Sequence, residues 1–332
     1  MTRAVTKAPP VAATGRLASV DLYITSQCNR KCTYCFLPAE FFASRERMSL
    51  DLYSRILAWS RRHGVGEITL LGGEPSLHPD LAKMVTMARD EDMAVRVVTN
   101  GTRRFRHLIE RMEIAPGTLS RVAVSLDSLD EKDQDDLRGP RSWRDAVETI
   151  ELLRAHGIPF DINITALRSV LDNLGSLIKY ASEAGCRRAN IHWPSAIGLG
   201  SELPSDQIPS PDEWLDLVRW VEDRTETEPG FFVEIERGFL VGDQKFTGCA
   251  LTDFSNLQIF PDGRAYRCGL LVDQPGMASL SMMSDDLLLT QREAGEELLA
   301  ASMTHSCDSC PVVVTQGRRA CIYDKVSSAL RP

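Results

Sequence analysis

Three cysteines carry the densest chemical signal in the chain. Cys28, Cys32 and Cys35 fall in the run Cys-Asn-Arg-Lys-Cys-Thr-Tyr-Cys, a C-x3-C-x2-C triplet. Thiolates so spaced on one loop can cover one face of a cube, and Cys thiolates are the usual protein ligands of 4Fe–4S clusters. Three ligands leave one iron open to a small molecule. Structural zinc is the competing reading, but it usually wants a fourth Cys or His close by, and the loop supplies none.

A second constellation lies far downstream. Five of the nine cysteines, Cys249, Cys268, Cys307, Cys310 and Cys321, fall after residue 248, and Cys307-x2-Cys310 is a chelating pair. In a chain whose first residues hold no signal-peptide run, such cysteines point to metal ligation rather than disulfides. An odd total leaves at least one thiol outside any pairing. Cys186 reads as an inert buried hydrophobe. Between the two groups stands Leu71-Gly72-Gly73-Glu74-Pro75, where the glycines permit close backbone approach and Glu74 offers a carboxylate to a cationic group.

The elements that must position these residues follow from periodicity. Residues 20–25, 67–71, 94–99, 121–126, 160–165 and 189–193 are short apolar, β-branched runs, separated by amphipathic stretches such as 50–62, capped by Ser49, and 143–156, closed by Gly157. Repeated βα units with a parallel sheet are expected, hence an α/β fold forming a partial barrel or open sheet. The cysteine triplet then lies on the loop after the first strand, and Gly72-Gly73-Glu74-Pro75 on the loop after the second. Pro204, Pro209, Pro211 and Pro229 break the rhythm around one helix near residues 212–224. Residues 231–236, 257–260 and 265–268 read as strands, the last two as a hairpin about Pro261-Asp262-Gly263. The expected domains are a flexible N-terminus at 1–17, a barrel at 18–200, a connector with a helix at 201–235 and a C-terminal extension at 236–332.

Composition bounds the partners. With 332 residues and 43% hydrophobic content the chain can bury a proper core. A net charge of −8 argues against nucleic acid and suits a cationic substrate. No stretch has the length and apolarity of a membrane span, so a cytoplasmic location is expected.

The triplet, with an aromatic before its last cysteine and one βα unit ahead of a Gly-Gly-Glu-Pro loop, resembles the signature of the radical S-adenosylmethionine (SAM) superfamily. The resemblance runs over residues 18–200. It implies a partial (β/α)6 barrel with a small C-terminal α+β auxiliary iron–sulfur domain, and two 4Fe–4S clusters with SAM as cofactors. Cys28, Cys32 and Cys35 would hold the first cluster, and Tyr34 would pack by the adenine. Gly72, Gly73 and Glu74 would meet the α-ammonium of SAM, and Ser125 and Asn163 would add polar contacts. Arg138-Gly139 resembles a family element of structural type. An electron from a flavodoxin- or ferredoxin-type donor would cleave SAM to methionine and a 5′-deoxyadenosyl radical, which takes a hydrogen atom from substrate.

The C-terminal cysteines resemble the SPASM and twitch auxiliary-cluster extensions, although the full SPASM pattern has more cysteines and two clusters. Two ligand sets stay open. One takes Cys249, Cys268, Cys307 and Cys310; the favoured one takes Cys268, Cys307, Cys310 and Cys321 and leaves Cys249 as a thiol that returns a hydrogen atom to the substrate radical. The combination resembles the aminoglycoside-tailoring branch. It implies a radical SAM epimerase, an isomerase consuming SAM, that inverts a sugar carbon in a cationic aminoglycoside during antibiotic biosynthesis. Asp21, Tyr23, Asn190, His192, Glu234 and Glu236 are candidates to meet its ammonium and hydroxyl groups. The alternatives are a twitch dehydrogenase oxidising an aminocyclitol or sugar alcohol, and a peptide-modifying SPASM maturase.

Overall fold

The computed structural model describes residues 17–224, 230–236, 256–266, 268–271, 280–283 and 286–289. Cys249, Cys307, Cys310 and Cys321 lie outside the described residues. Six strands follow the expected runs: β1 (Ser19–Thr25), β2 (Glu67–Gly72), β3 (Ala94–Thr99), β4 (Arg121–Ser125), β5 (Phe160–Thr165) and β6 (Arg188–His192). They pair in parallel in sequence order. The array gains one parallel strand at each edge, β7 (Phe232–Ile235) beside β6 and β8 (Asn256–Ile259) beside β1. From β8 the sheet turns antiparallel through β9 (Arg264–Tyr266), β10 (Leu280–Met283) and β11 (Asp286–Leu289), making an 11-stranded sheet. The hairpin expected at 257–268 is present, and its first strand is also the lateral neighbour of β1.

Helices fill the crossovers: α1 (Ala39–Ser44), α2 (Leu50–Arg62), α3 (Leu81–Asp90), α4 (Arg103–Glu110), α5 (Glu131–Arg138), α6 (Ser142–Ala155), α7 (Arg168–Leu171), α8 (Leu174–Glu183) and α9 (Pro211–Arg224). Local chemistry sets their starts. Ser49 Oγ accepts from Leu52 N at 3.1 Å, the N-cap read from sequence. Ahead of α9, Ser210 and Glu213 cap reciprocally: Ser210 N donates to Glu213 Oε2 at 2.6 Å and Glu213 N to Ser210 Oγ at 3.3 Å. No helix among the described residues is long and apolar enough to cross a membrane.

The strands alternate sharply between two faces. Val20, Leu22, Ile24, Ile68, Leu70, Val95, Val97, Val122, Val124, Ile162, Ile164, Ala189 and Ile191 are buried in one hydrophobic cluster with residues of the helices. The opposite face carries Asp21, Thr69, Arg96 and Arg121 in one lateral row and Ser125, Asn163, Asn190 and Glu234 in another. Strands of a parallel sheet covered by helices on both sides read as unbroken apolar runs. The period-two pattern here marks a sheet with helices on one face and a polar interior on the other.

Candidate active site at the strand C-termini

The loop after β1 carries Cys28, Cys32 and Cys35, and neighbouring loops clamp it. Thr33 N donates to Leu137 O at 3.0 Å and Gly200 N to Cys35 O at 2.8 Å. Arg30, nearly buried, reaches Pro140 O and forms an ion pair with Asp145. Cys35 N closes a turn on Cys32 O at 3.2 Å. Burial first, and then the neighbouring acidic groups, push the Cys28 thiol up to about 12 and the Cys35 thiol to about 11; burial likewise raises Cys32. Thiols held in this way are neutral until a metal displaces their protons.

The Gly72-Gly73-Glu74-Pro75 loop lies directly against that loop. Gly73 N donates to Thr25 O and Glu74 N to Gln27 O, both at 2.8 Å. A Cβ on Gly73 would run into Gln27 O, and Gly72 has φ +147° with Thr25 O in the same position. The glycines thus serve an approach of backbone to backbone. Glu74 is 1% exposed and caps the 3-10 turn Pro75–Leu77. Its Oε1 accepts from Ser76 N at 3.1 Å and Thr99 Oγ1 at 2.9 Å, and its Oε2 from Asn100 N at 2.8 Å. Burial raises its pKa above the usual carboxylate value against the pull of these donors.

A second buried carboxylate organises the other side. Asp127, two residues past the end of β4, accepts from Tyr34 Oη, from Arg138 Nε at 2.6 Å and Nη2 at 3.1 Å, and from Thr165 N at 2.8 Å. Arg138 lies over the Tyr34 ring, 5.2 Å from its centroid. Burial alone would lower Arg138, but the Asp127 charge reverses this and holds it well above its ordinary value. Tyr34 is buried and tied at its hydroxyl. Arg138, read from sequence as a structural element, is the partner that fixes it.

The polar face runs below these loops. Ser125 and Asn163 are lateral partners, and Asn190 Nδ2 donates to Asn163 Oδ1 at 2.8 Å. His192 Nδ1 lies 3.0 Å from Glu236 Oε1, Glu236 Oε2 accepts from Trp193 N at 2.9 Å, and Glu234 pairs with Arg188. Deeper in, Arg121 Nε lies 3.1 Å from the buried Asp161 carboxylate. Tyr23 Oη donates to Gln258 Oε1 at 3.1 Å, and its ring stacks on Phe260 at 4.2 Å. Burial first, and then the charges of Asp21, Cys35 and Cys268, push its phenol well up. Five of the six residues read as substrate contacts, Asp21, Tyr23, Asn190, His192 and Glu234, share this face with Ser125 and Asn163, and Glu236, just past β7, reaches His192 on it.

Sequence reasoning passed over Thr99, Asn100 and Asp127. Their signal was positional: each stands at or just past the C-terminal end of a parallel strand, where α/β sheets place their ligands.

Residues 22–181 match the Radical SAM superfamily. The chain carries a radical SAM domain. Among curated proteins it is similar to the AdoMet-dependent heme synthase of Methanosarcina barkeri, 27% identical over 59% of this chain and 55% of the relative. It is also similar to the PqqA peptide cyclase of Gluconobacter oxydans, 25% identical over 60% of this chain and 55% of the relative. The chain thus spans about half the length of the curated relatives it matches. In fold it resembles Streptococcus suis SuiB bound to the precursor peptide SuiA, with a TM-score of 0.63 at 16% identity, covering 94% of this chain and 71% of that one.

The radical SAM domain's donor set suits an iron–sulfur cluster. Among the described residues no three His, Cys, Asp or Glu side chains gather as tightly as a site for one metal ion would require. A cubane asks for something else, because each thiolate binds its own iron. Three thiols on one clamped loop are the donor chemistry such a cluster takes, and one of them, Cys28 Sγ, accepts from Arg30 N at 3.4 Å.

Proposed function

We propose that the protein is a radical SAM enzyme that holds a 4Fe–4S cluster on Cys28, Cys32 and Cys35 and consumes SAM. The observation that carries this reading is the pair of backbone hydrogen bonds joining the cysteine loop to the Gly72-Gly73-Glu74 loop. They set the two loops side by side, as this reading requires of segments that would hold a cluster and its SAM. When bound, the cluster and SAM supply a 5′-deoxyadenosyl radical. The chain's own part is to orient and exclude water: Asp127 and Arg138 hold Tyr34, and Glu74 holds the corner after β3. The test is anaerobic iron–sulfide reconstitution followed by reduction with SAM. 5′-Deoxyadenosine is expected from the parent and not from a Cys28→Ala, Cys32→Ala, Cys35→Ala triple variant. A loaded, reduced parent that releases none would overturn the reading.

The finer reading is epimerisation of a sugar carbon in a cationic aminoglycoside, of the neomycin C to neomycin B type. Cys268, Cys307, Cys310 and Cys321 then hold an auxiliary 4Fe–4S cluster, and Cys249 returns a hydrogen atom. The polar face supports a hydrophilic substrate, with Glu234 exposed on it and Glu236 exposed just past the end of β7. Turnover in deuterated water should place solvent deuterium at the inverted carbon, and a Cys249→Ala variant should cleave SAM without forming epimer. Product carrying no solvent deuterium would count against thiol return.

A second reading, peptide modification, draws on the comparisons. One relative is named a peptide cyclase, and SuiB was solved with a precursor peptide. Product mass separates the readings, because epimerisation leaves it unchanged in ordinary water whereas cross-linking or alcohol oxidation removes a pair of hydrogens.

A further inference from the structure

Asn100 stands at the turn after β3, and its surroundings fix its backbone. Its N–H donates to Glu74 Oε2 at 2.8 Å. Thr99 Oγ1, before it, donates to Glu74 Oε1 at 2.9 Å and accepts from Gly101 N at 3.1 Å. Gly101 O accepts from Arg106 Nη1 at 2.7 Å, and Gly101 has φ +80°, where an added Cβ would come within 2.7 Å of Asp145 O. Thr102 then caps α4 through Phe105 N at 3.0 Å. A corner braced on both sides leaves the Asn100 side chain little choice of direction.

That side chain faces the cysteine loop. Its Nδ2 lies 2.9 Å from Asn29 Oδ1 and 3.9 Å from Cys28 Sγ. Its Oδ1 is buried and has no hydrogen-bond partner among the described residues. Once Cys28 is a metal-bound thiolate it can only accept, so the N–H side of the amide is the one that suits the sulfur, and Oδ1 is left turned away from it. A buried acceptor without a donor costs stability unless a ligand satisfies it. Glu74, by contrast, already accepts from three internal donors and is closed to solvent.

We propose that Asn100 positions both the cluster and the ligand at its open iron. On the proposed radical SAM reading, the amide N–H of Asn100 donates to the Cys28 thiolate, and Oδ1 accepts from the α-ammonium of SAM. Glu74 then acts as the brace that sets Asn100 rather than as the receptor of the ammonium. An N–H···S bond favours the more negative, reduced cluster and raises its potential.

The experiment uses the full chain after reconstitution, and reads iron content, the midpoint potential by EPR-monitored titration without SAM, and SAM binding by equilibrium dialysis. Asn100→Ala should keep its iron, shift the midpoint to more negative potential and bind SAM about ten-fold more weakly, the scale of one lost hydrogen bond to a charged donor. Asn100→Asp keeps an acceptor and loses both donors. It should shift the midpoint further negative while holding SAM affinity within about three-fold of the parent. A parent-like midpoint or parent-like SAM affinity in Asn100→Ala overturns the assignment, as does an Asn100→Asp variant that loses SAM as fully as Asn100→Ala. If Asn100→Ala does not load iron, Asn100→Asp decides by the same two readouts. A parent chain that takes up no iron overturns the cluster reading as well, and that control distinguishes the two failures.

Discussion

Arg138 meets Asp127 at two points, Nε to Oδ2 at 2.6 Å and Nη2 to Oδ1 at 3.1 Å, and both side chains are buried. The pair joins α5 to the end of β4, and through Tyr34 it reaches the cysteine loop. Breaking such a pair by removing one partner leaves an uncompensated charge in the interior, at a cost of about 3–5 kcal/mol. Asp127→Ala should therefore lower the unfolding free energy by that order in urea titration. Asp127→Asn, which keeps one acceptor, should lose less.

Tyr34 contributes a ring and a hydroxyl, and the two can be separated. Tyr34→Phe removes the donor to Asp127 but keeps the ring beneath Arg138. It should cost about 1 kcal/mol of stability and leave SAM cleavage within a few-fold of the parent. Tyr34→Leu removes the ring as well and should reduce both stability and SAM affinity further. Equal losses in the two variants, measured by denaturation and SAM binding, would count against a role for the ring.

Gly73→Ala should separate the two loops. Its Cβ would meet backbone, the carbonyl of Gln27 and the amide of Cys28, neither of which can swing away as a side chain can. The expected outcome is a folded protein with reduced iron incorporation and little SAM cleavage. Circular dichroism together with iron and sulfide analysis would check it.

The start of α9 should carry a measurable acid sensitivity. Glu213 is held down to about 2 by Arg168 first and then by the amide of Ser210. A carboxylate depressed on folding stabilises the protein above its unfolded pKa, and the contribution is lost as pH falls through the folded value. Stability from this group should therefore decline between about pH 4.5 and pH 2. Both side chains are part-exposed, so the effect should be modest and should weaken in high salt. In Glu213→Gln that portion of the acid dependence should disappear from the denaturation curves.

Much of this was legible in the residues themselves. Apolar runs and turn signals placed six parallel strands to within a residue or two, because a strand buried on its helix side must repeat Val, Ile and Leu at every second position. Ser49 announced α2 through a local hydrogen bond, and the cysteine spacing announced the loop chemistry. The pairing of β8 with β1 was not legible, since strands more than two hundred residues apart leave no local mark of their partnership. Nor was the work of Asp127 and Asn100. Each looks like an ordinary polar residue at a strand end until the fold brings Arg138, or Cys28, beside it. Glu74 was singled out for its charge, whereas its three internal donors come from segments that meet only in three dimensions.

The alternation along the strands has a consequence for anyone surveying variants of this chain. Neighbouring positions such as Ile162 and Asn163, or Val124 and Ser125, belong to different regimes. A change at the first of each pair should show up as lost protein, and a change at the second as altered chemistry in protein that is made normally. A saturation screen that scores abundance and turnover separately should therefore print a stripe of period two along each strand, and on the proposed reading the stripe would trace the polar face without any ligand in place.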